Sequence, residues 1–160
     1  VEACSSRGIG VGLVGSPPAA QRSEYHSEGG EEALLAATQL IDLRGRTTLL
    51  QLAGACRQAA AVVSVDAGPM HIAAAVGTPT LAIVGNDAAG LGASPIRLWL
   101  PRVKVLQRTY SSASCGACAN NRYRNDGCLV EGHPCMAGVA PQQVLDWLAA
   151  VPALRPRWQG

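Results

Sequence analysis

Residues 61–85 read AVVSVDAGPMHIAAAVGTPTLAIVG, and the fold class turns on this stretch. Residues 61–65 form a short valine-rich apolar run, the pattern of a buried strand. Asp66 ends it. Gly68 is the expected N-cap of a helix, with Pro69 at the first helical position, where the missing N–H costs nothing. The helix is expected to run through residues 71–76 and to stop at Gly77. Thr78-Pro79 then turns the chain into a second apolar strand, residues 80–84. Such a strand–helix–strand unit places backbone N–H groups, at Met70 and His71, at a helix N-terminus beside a carboxylate and an imidazole. A terminus of this kind attracts anions. Phosphate or pyrophosphate is the occupant that this chemistry fits.

Outward from this unit the same alternation continues. Residues 8–14 read as a first strand opening onto Gly15-Ser16-Pro17-Pro18, without the glycine spacing of a dinucleotide-binding turn. Residues 21–30 are polar, a surface loop. A helix over 31–38 carries acids in its first turn, as the helix dipole prefers. Residues 39–43 are a candidate strand. Thr47 is the expected N-cap of a helix over 48–58, whose Leu49, Leu52, Ala53 and Cys56 share one face. After the central unit come a Gly/Ala loop over 86–95, a strand over 103–107, an irregular cysteine-bearing stretch and a closing helix over 142–150. Short apolar strands separated by helices imply an α/β fold, a doubly wound parallel sheet. Such sheets bind ligands at the carboxyl ends of their strands. Gly15, Asp66 and Gly85 fall at those ends, and Thr47 belongs on the same edge.

The pattern D-x-G-P-M-H-x-A-A-A-x-G-T-P-x-x-A-x-x-G, from Asp66 to Gly85, resembles the signature of bacterial glycosyltransferase family 9, the ADP-heptose:lipopolysaccharide heptosyltransferases. Residues 43–50, LRGRTTLL, resemble the family's "GkTsL" segment. The spacing Cys115-x-x-Cys118, Cys128, Cys135-Met136, followed by Val139-x-Pro141-x-x-Val144, resembles its cysteine-bearing tail. The resemblance spans roughly residues 8–150, and three motifs in order are far more specific than one.

It implies a Rossmann-like domain, the C-terminal, donor-binding half of a GT-B glycosyltransferase. The expected organisation is one nucleotide-sugar-binding domain over residues 1–160, with an α/β core over 8–110, a cysteine-containing segment over 111–138 and a C-terminal helix and tail over 139–160. The resemblance implies that the N-terminal acceptor domain is absent; the chain opens on valine, and Val1-Glu2-Ala3-Cys4 resembles neither a signal peptide nor a natural start, so it is expected to begin part-way through a larger protein. The implied reaction is inverting transfer of a heptose, or a related sugar, from a nucleotide diphosphate sugar such as ADP-heptose to the lipopolysaccharide core, with no cofactor required. The base is then carried by the absent domain, so this chain alone is expected to bind donor without turning it over. The candidate donor and phosphate residues are Gly15, Thr47, Thr48, Asp66, Gly68, Pro69, Met70 and His71. Asp66 suits a sugar or ribose hydroxyl, Thr47 and Thr48 suit phosphate oxygens, and a protonated His71 suits the leaving diphosphate. Glu24 and Glu28 are candidate ribose contacts. The alternatives are a non-catalytic nucleotide-binding module, or another GT-B nucleotide-sugar enzyme such as a UDP-sugar epimerase.

Composition sets the remaining bounds. The chain has 160 residues, 48% hydrophobic and 15% charged, which suits one folded domain and excludes a disordered chain. With 18 Gly, 10 Pro, no Phe and three Trp, its interior should be built from small aliphatics. A net charge of +2 gives no case for nucleic acid. No apolar run is long enough for a membrane span. The expected location is cytoplasmic, with peripheral association at the inner face of the inner membrane. Cys115, Cys118, Cys128 and Cys135 can furnish a structural zinc site with His133 as a substitute ligand, or stay reduced and structural, or pair as disulfides. Cys4 and Cys56 read as small hydrophobes. Arg122 and Arg124 form a basic cluster, which reads as a solvated loop before it reads as an anion contact.

Overall fold

Every strand among the described residues runs parallel to its neighbour. A computed structural model describes residues 1–20, 30–84, 101–109, 115–117 and 128–159. Strand β1 (Val11–Leu13) pairs with β2 (Leu40–Asp42), placing Gly12 opposite Ile41. Strand β3 (Val62–Val65) pairs with β4 (Thr80–Ile83), and β4 with β5 (Leu106–Thr109). Helices among the described residues include α1 (Glu2–Ser5), α2 (Gly30–Ala37), α3 (Leu49–Gln58), α4 (Gly68–Ala75), α5 (Pro134–Ala137), α6 (Pro141–Ala150) and α7 (Arg155–Trp158). Strands alternating with helices in this way make a Rossmann-like α/β fold.

One difference from expectation concerns the sheet. Among the described residues the strands fall not into one continuous sheet but into two, β1-β2 and β3-β4-β5. Of residues 8–14 only Val11–Leu13 is strand. Gly8, Gly10 and Gly12 carry no side chain to pack and a large entropic cost of ordering, so the extended run is short. A cavity of about 390 Å³, lined among others by Gly12, Val62, Cys56 and Leu148, lies where β1 and β3 face each other.

The core is as small-grained as the composition requires. Met70, Ala73, Ala74, Leu81 and Ala82 are buried, with Met70 and Ala82 in contact and Val84 and Leu106 packed on them. Cys4 and Cys56 are buried too, as expected of small hydrophobes. Burial pushes the Cys56 thiol up, favouring its neutral form. The central strand β4 is the best covered, with Thr80, Leu81 and Ala82 buried. Helix α6 is tied to β5 through Gln143, whose Nε2 donates to Thr109 Oγ1 at 3.0 Å. The Arg7 guanidinium lies 4.9 Å from the Trp158 ring centre, joining α7 to the first residues of the chain.

Several boundaries moved. The last strand is Leu106–Thr109 rather than 103–107, because its register is set by pairing Leu106 with Thr80 across β4. Leu49, expected on the apolar face of its helix, is 70% exposed, and the helix is buried at Cys56 near its other end. No helix among the described residues is long and apolar enough to cross a membrane.

Candidate functional site

The turn after β3 is the first part of the site. Asp66 follows the strand's carboxyl end and is exposed. Helix α4 begins one residue earlier than its sequence suggests. Its N-cap is Ala67, in extended backbone at φ −152° and ψ 165°, so Gly68 is the first helical residue and Pro69 the second. Alanine has no side-chain acceptor, and capping falls to the backbone: the Met70 N–H donates to the Ala67 carbonyl at 3.0 Å. Met70 is therefore not an open donor. The amides ahead of the first intrahelical bond are those of Ala67 and Gly68, since Pro69 has none. The side chain of Met70 is wholly buried and anchors the helix, while His71, half-buried, sits in its first turn.

The far end of α4 is closed by a Schellman motif. Gly77, at φ +82°, donates to the Ala74 carbonyl at 3.2 Å, and Thr78 N–H donates to the Ala73 carbonyl at 3.0 Å. The Thr78 hydroxyl then donates to the Cys56 carbonyl at 2.7 Å, binding α4 to α3.

The second part lies past β1 and β2. The Gly45 N–H donates to the Gly15 carbonyl at 2.9 Å, so the loops following these two strands touch. Gly45 adopts φ +65°, and a Cβ there would come within 2.7 Å of Pro17 Cγ. Only glycine suits that position. Thr48, not Thr47, caps the helix that follows. The Gln51 N–H donates to Thr48 Oγ1 at 3.3 Å and the Thr48 N–H donates to Gln51 Oε1 at 2.8 Å, a complete capping box. Thr47 is half-buried just ahead of it, and Arg46 is exposed beside it. Arg46 is a cation at this turn that the motif spacing does not single out. Its signal was simply a cation next to Thr47, at the start of a helix.

At the end of β2, Asp42 accepts from Arg44 through both side-chain and main-chain donors. The Arg44 guanidinium and backbone N–H hold the Asp42 carboxyl below the usual carboxylate range. Sequence reasoning passed over this pair, because an Asp and an Arg two residues apart look like ordinary turn residues.

The structure thus joins Gly15 to the turn carrying Thr47 and Thr48, and gathers Asp66, Gly68, Pro69, Met70 and His71 in a separate turn on the other sheet. Gly85, Glu24, Glu28, Arg122, Arg124 and Cys118 lie outside the described residues. Of the cysteines, Cys115 and Cys135 are half-buried and Cys128 is exposed. Among the described residues no three His, Cys, Asp or Glu side chains are grouped as metal ligands. No step is assigned to zinc.

Parallel strands alternating with helices, with helix starts and glycine turns past the strands' carboxyl ends, define a Rossmann-like α/β domain. The family model of glycosyltransferase family 9 (heptosyltransferase) matches residues 1–119, and the chain belongs to that family. Its fold is that of the E. coli ADP-heptose lps heptosyltransferase II, with a TM-score of 0.65 at 23% sequence identity; the match covers 97% of this chain. The chain spans 40% of that protein's length. No curated protein matches the sequence.

Proposed function

We propose that this chain is the C-terminal, nucleotide-sugar-binding half of an inverting GT-B heptosyltransferase. Its donor is ADP-heptose and its acceptor the lipopolysaccharide core, reached at the cytoplasmic face of the inner membrane. The observation that carries this is the turn from Asp66 to His71. There a helix start with unused amides at Ala67 and Gly68 follows directly on a strand end, with a carboxylate on one side and an imidazole on the other. The amides suit the donor diphosphate and the dipole of α4 favours its charge. Asp66 repels phosphate and suits a ribose or sugar hydroxyl. His71, when protonated, offsets the charge that develops on the departing diphosphate. Thr47, Thr48, Arg46 and Gly15 form the second bank of the same ligand edge.

Inversion also requires a base on the acceptor hydroxyl, on the face opposite the leaving group. The base and acceptor site are assigned to a second domain, a reading supported by the chain's 40% share of the matched heptosyltransferase's length. The chain alone then binds donor but does not transfer it. Amide chemical shifts recorded during titration with ADP test the site. Changes centred on Gly15, Thr47, Thr48, Ala67 and Gly68 are expected; changes confined to other regions contradict it. Release of ADP from ADP-heptose on incubating the 160-residue chain with lipopolysaccharide acceptor would overturn the division of labour.

A further inference from the structure

The geometry points to Arg44 as a positioning residue that holds the Gly45–Thr48 turn at the donor edge by gripping Asp42, an inference that rests on the donor-site reading given above. Arg44 is 6% exposed. A guanidinium is rarely so buried unless its donors are used. Here Nε donates to Asp42 Oδ1 at 3.0 Å and Nη2 donates to Asp42 Oδ2 at 3.1 Å, a closed two-pronged fork. The Arg44 N–H adds a third bond to Asp42 Oδ1 at 3.1 Å. Nη1 lies 3.6 Å from Glu32 Oε1, which draws in the first turn of α2. Both Asp42 oxygens accept from Arg44, so the carboxylate is committed to this turn.

The turn runs straight on from that grip. Arg46 N–H donates to the Leu43 carbonyl at 3.1 Å, Gly45 N–H donates to the Gly15 carbonyl, and Pro17 fills the space beside Gly45. Thr47 and the Thr48 cap emerge from it. A loosened fork frees the turn and moves both threonines away from the Gly15 loop, without removing any group that touches ligand. Lysine does not substitute, because its ammonium is a point charge without the planar fork.

The test titrates the chain with ADP, comparing wild type with Arg44→Met, Arg44→Lys, Asp42→Asn and the double variant Asp42→Asn/Arg44→Met. Thr78→Val serves as a variant destabilised elsewhere. Amide hydrogen exchange over residues 45–48 is followed in each. Each single change at Asp42 or Arg44 is expected to weaken ADP on the order of ten- to a hundredfold, by misplacement. The double variant should be no weaker than the worse single, because the two residues act as one unit. Exchange over 45–48 should quicken, while Thr78→Val melts earlier with unchanged ADP affinity. Wild-type ADP affinity in folded Arg44→Lys overturns the role of the fork, and this variant decides the matter if Arg44→Met does not fold. A wild-type chain that ignores ADP overturns the donor-site reading and this inference with it, a result visible before any variant is made.

Discussion

Met70 and Ala82 are both fully buried and pack against each other, which pins the first turn of α4 onto β4. Truncating Met70 to alanine leaves a cavity beside Ala82 in a core otherwise built of small residues. Met70→Ala is expected to cost about 2–5 kcal/mol. Chemical denaturation should show the loss as a lower midpoint with an unchanged slope.

Thr78 donates its hydroxyl to the Cys56 carbonyl at 2.7 Å, while its own N–H closes α4. The Cys56 carbonyl keeps a second donor, the Ala59 N–H at 3.2 Å, so the loss of one bond is bearable. Thr78→Val should therefore cost about 1 kcal/mol. A thermal melt measures it, and the protein should still fold.

Gly45→Ala meets two obstacles at once: a φ of +65° and a Pro17 atom 2.7 Å from the new Cβ. Strain of about 1–3 kcal/mol is expected from the backbone alone. The turn must shift to relieve it. Calorimetry should show weaker ADP binding than the wild type, in contrast to Gly54→Ala, where the Cβ meets nothing within 4 Å.

The Asp42 carboxyl is held below its usual value of 3.8, first by the Arg44 guanidinium and next by the Arg44 N–H. A lowered native pKa means that the unfolded chain binds the proton more readily, so stability rises with pH across that interval. The contribution is complete above the unfolded value and is lost as pH falls through the lowered native one. Urea melts of wild type and Asp42→Asn should accordingly differ at pH 6 and converge toward pH 2.

Much of this was legible in the sequence, because strand–helix alternation writes itself in apolar runs and turn residues. The strand–turn–helix unit around Asp66, the stop at Gly77 and the burial of Cys4 and Cys56 all follow from local chemistry. What failed was decided by partners. Ala67 caps α4 through its backbone, and alanine carries no capping signature. Thr47 and Thr48 are equal by residue type; Gln51, three residues beyond Thr48, is what selects between them. Leu49 has helical spacing in its favour, but the first turn of α3 leaves it exposed. The β5 register depends on β4, and the Arg44 fork becomes visible only once β2 ends in a turn that returns the guanidinium to Asp42.

The Asp66–His71 turn is proposed to hold an ADP-sugar, and calorimetric titration with ADP, ADP-heptose and UDP, on wild type and on Asp66→Ala, is the most direct test. ADP and ADP-heptose are expected to bind and UDP is not, with Asp66→Ala weakening ADP-heptose about tenfold through the loss of a charge-assisted hydrogen bond. Equal binding of UDP, or ADP-heptose affinity untouched by Asp66→Ala, would contradict it.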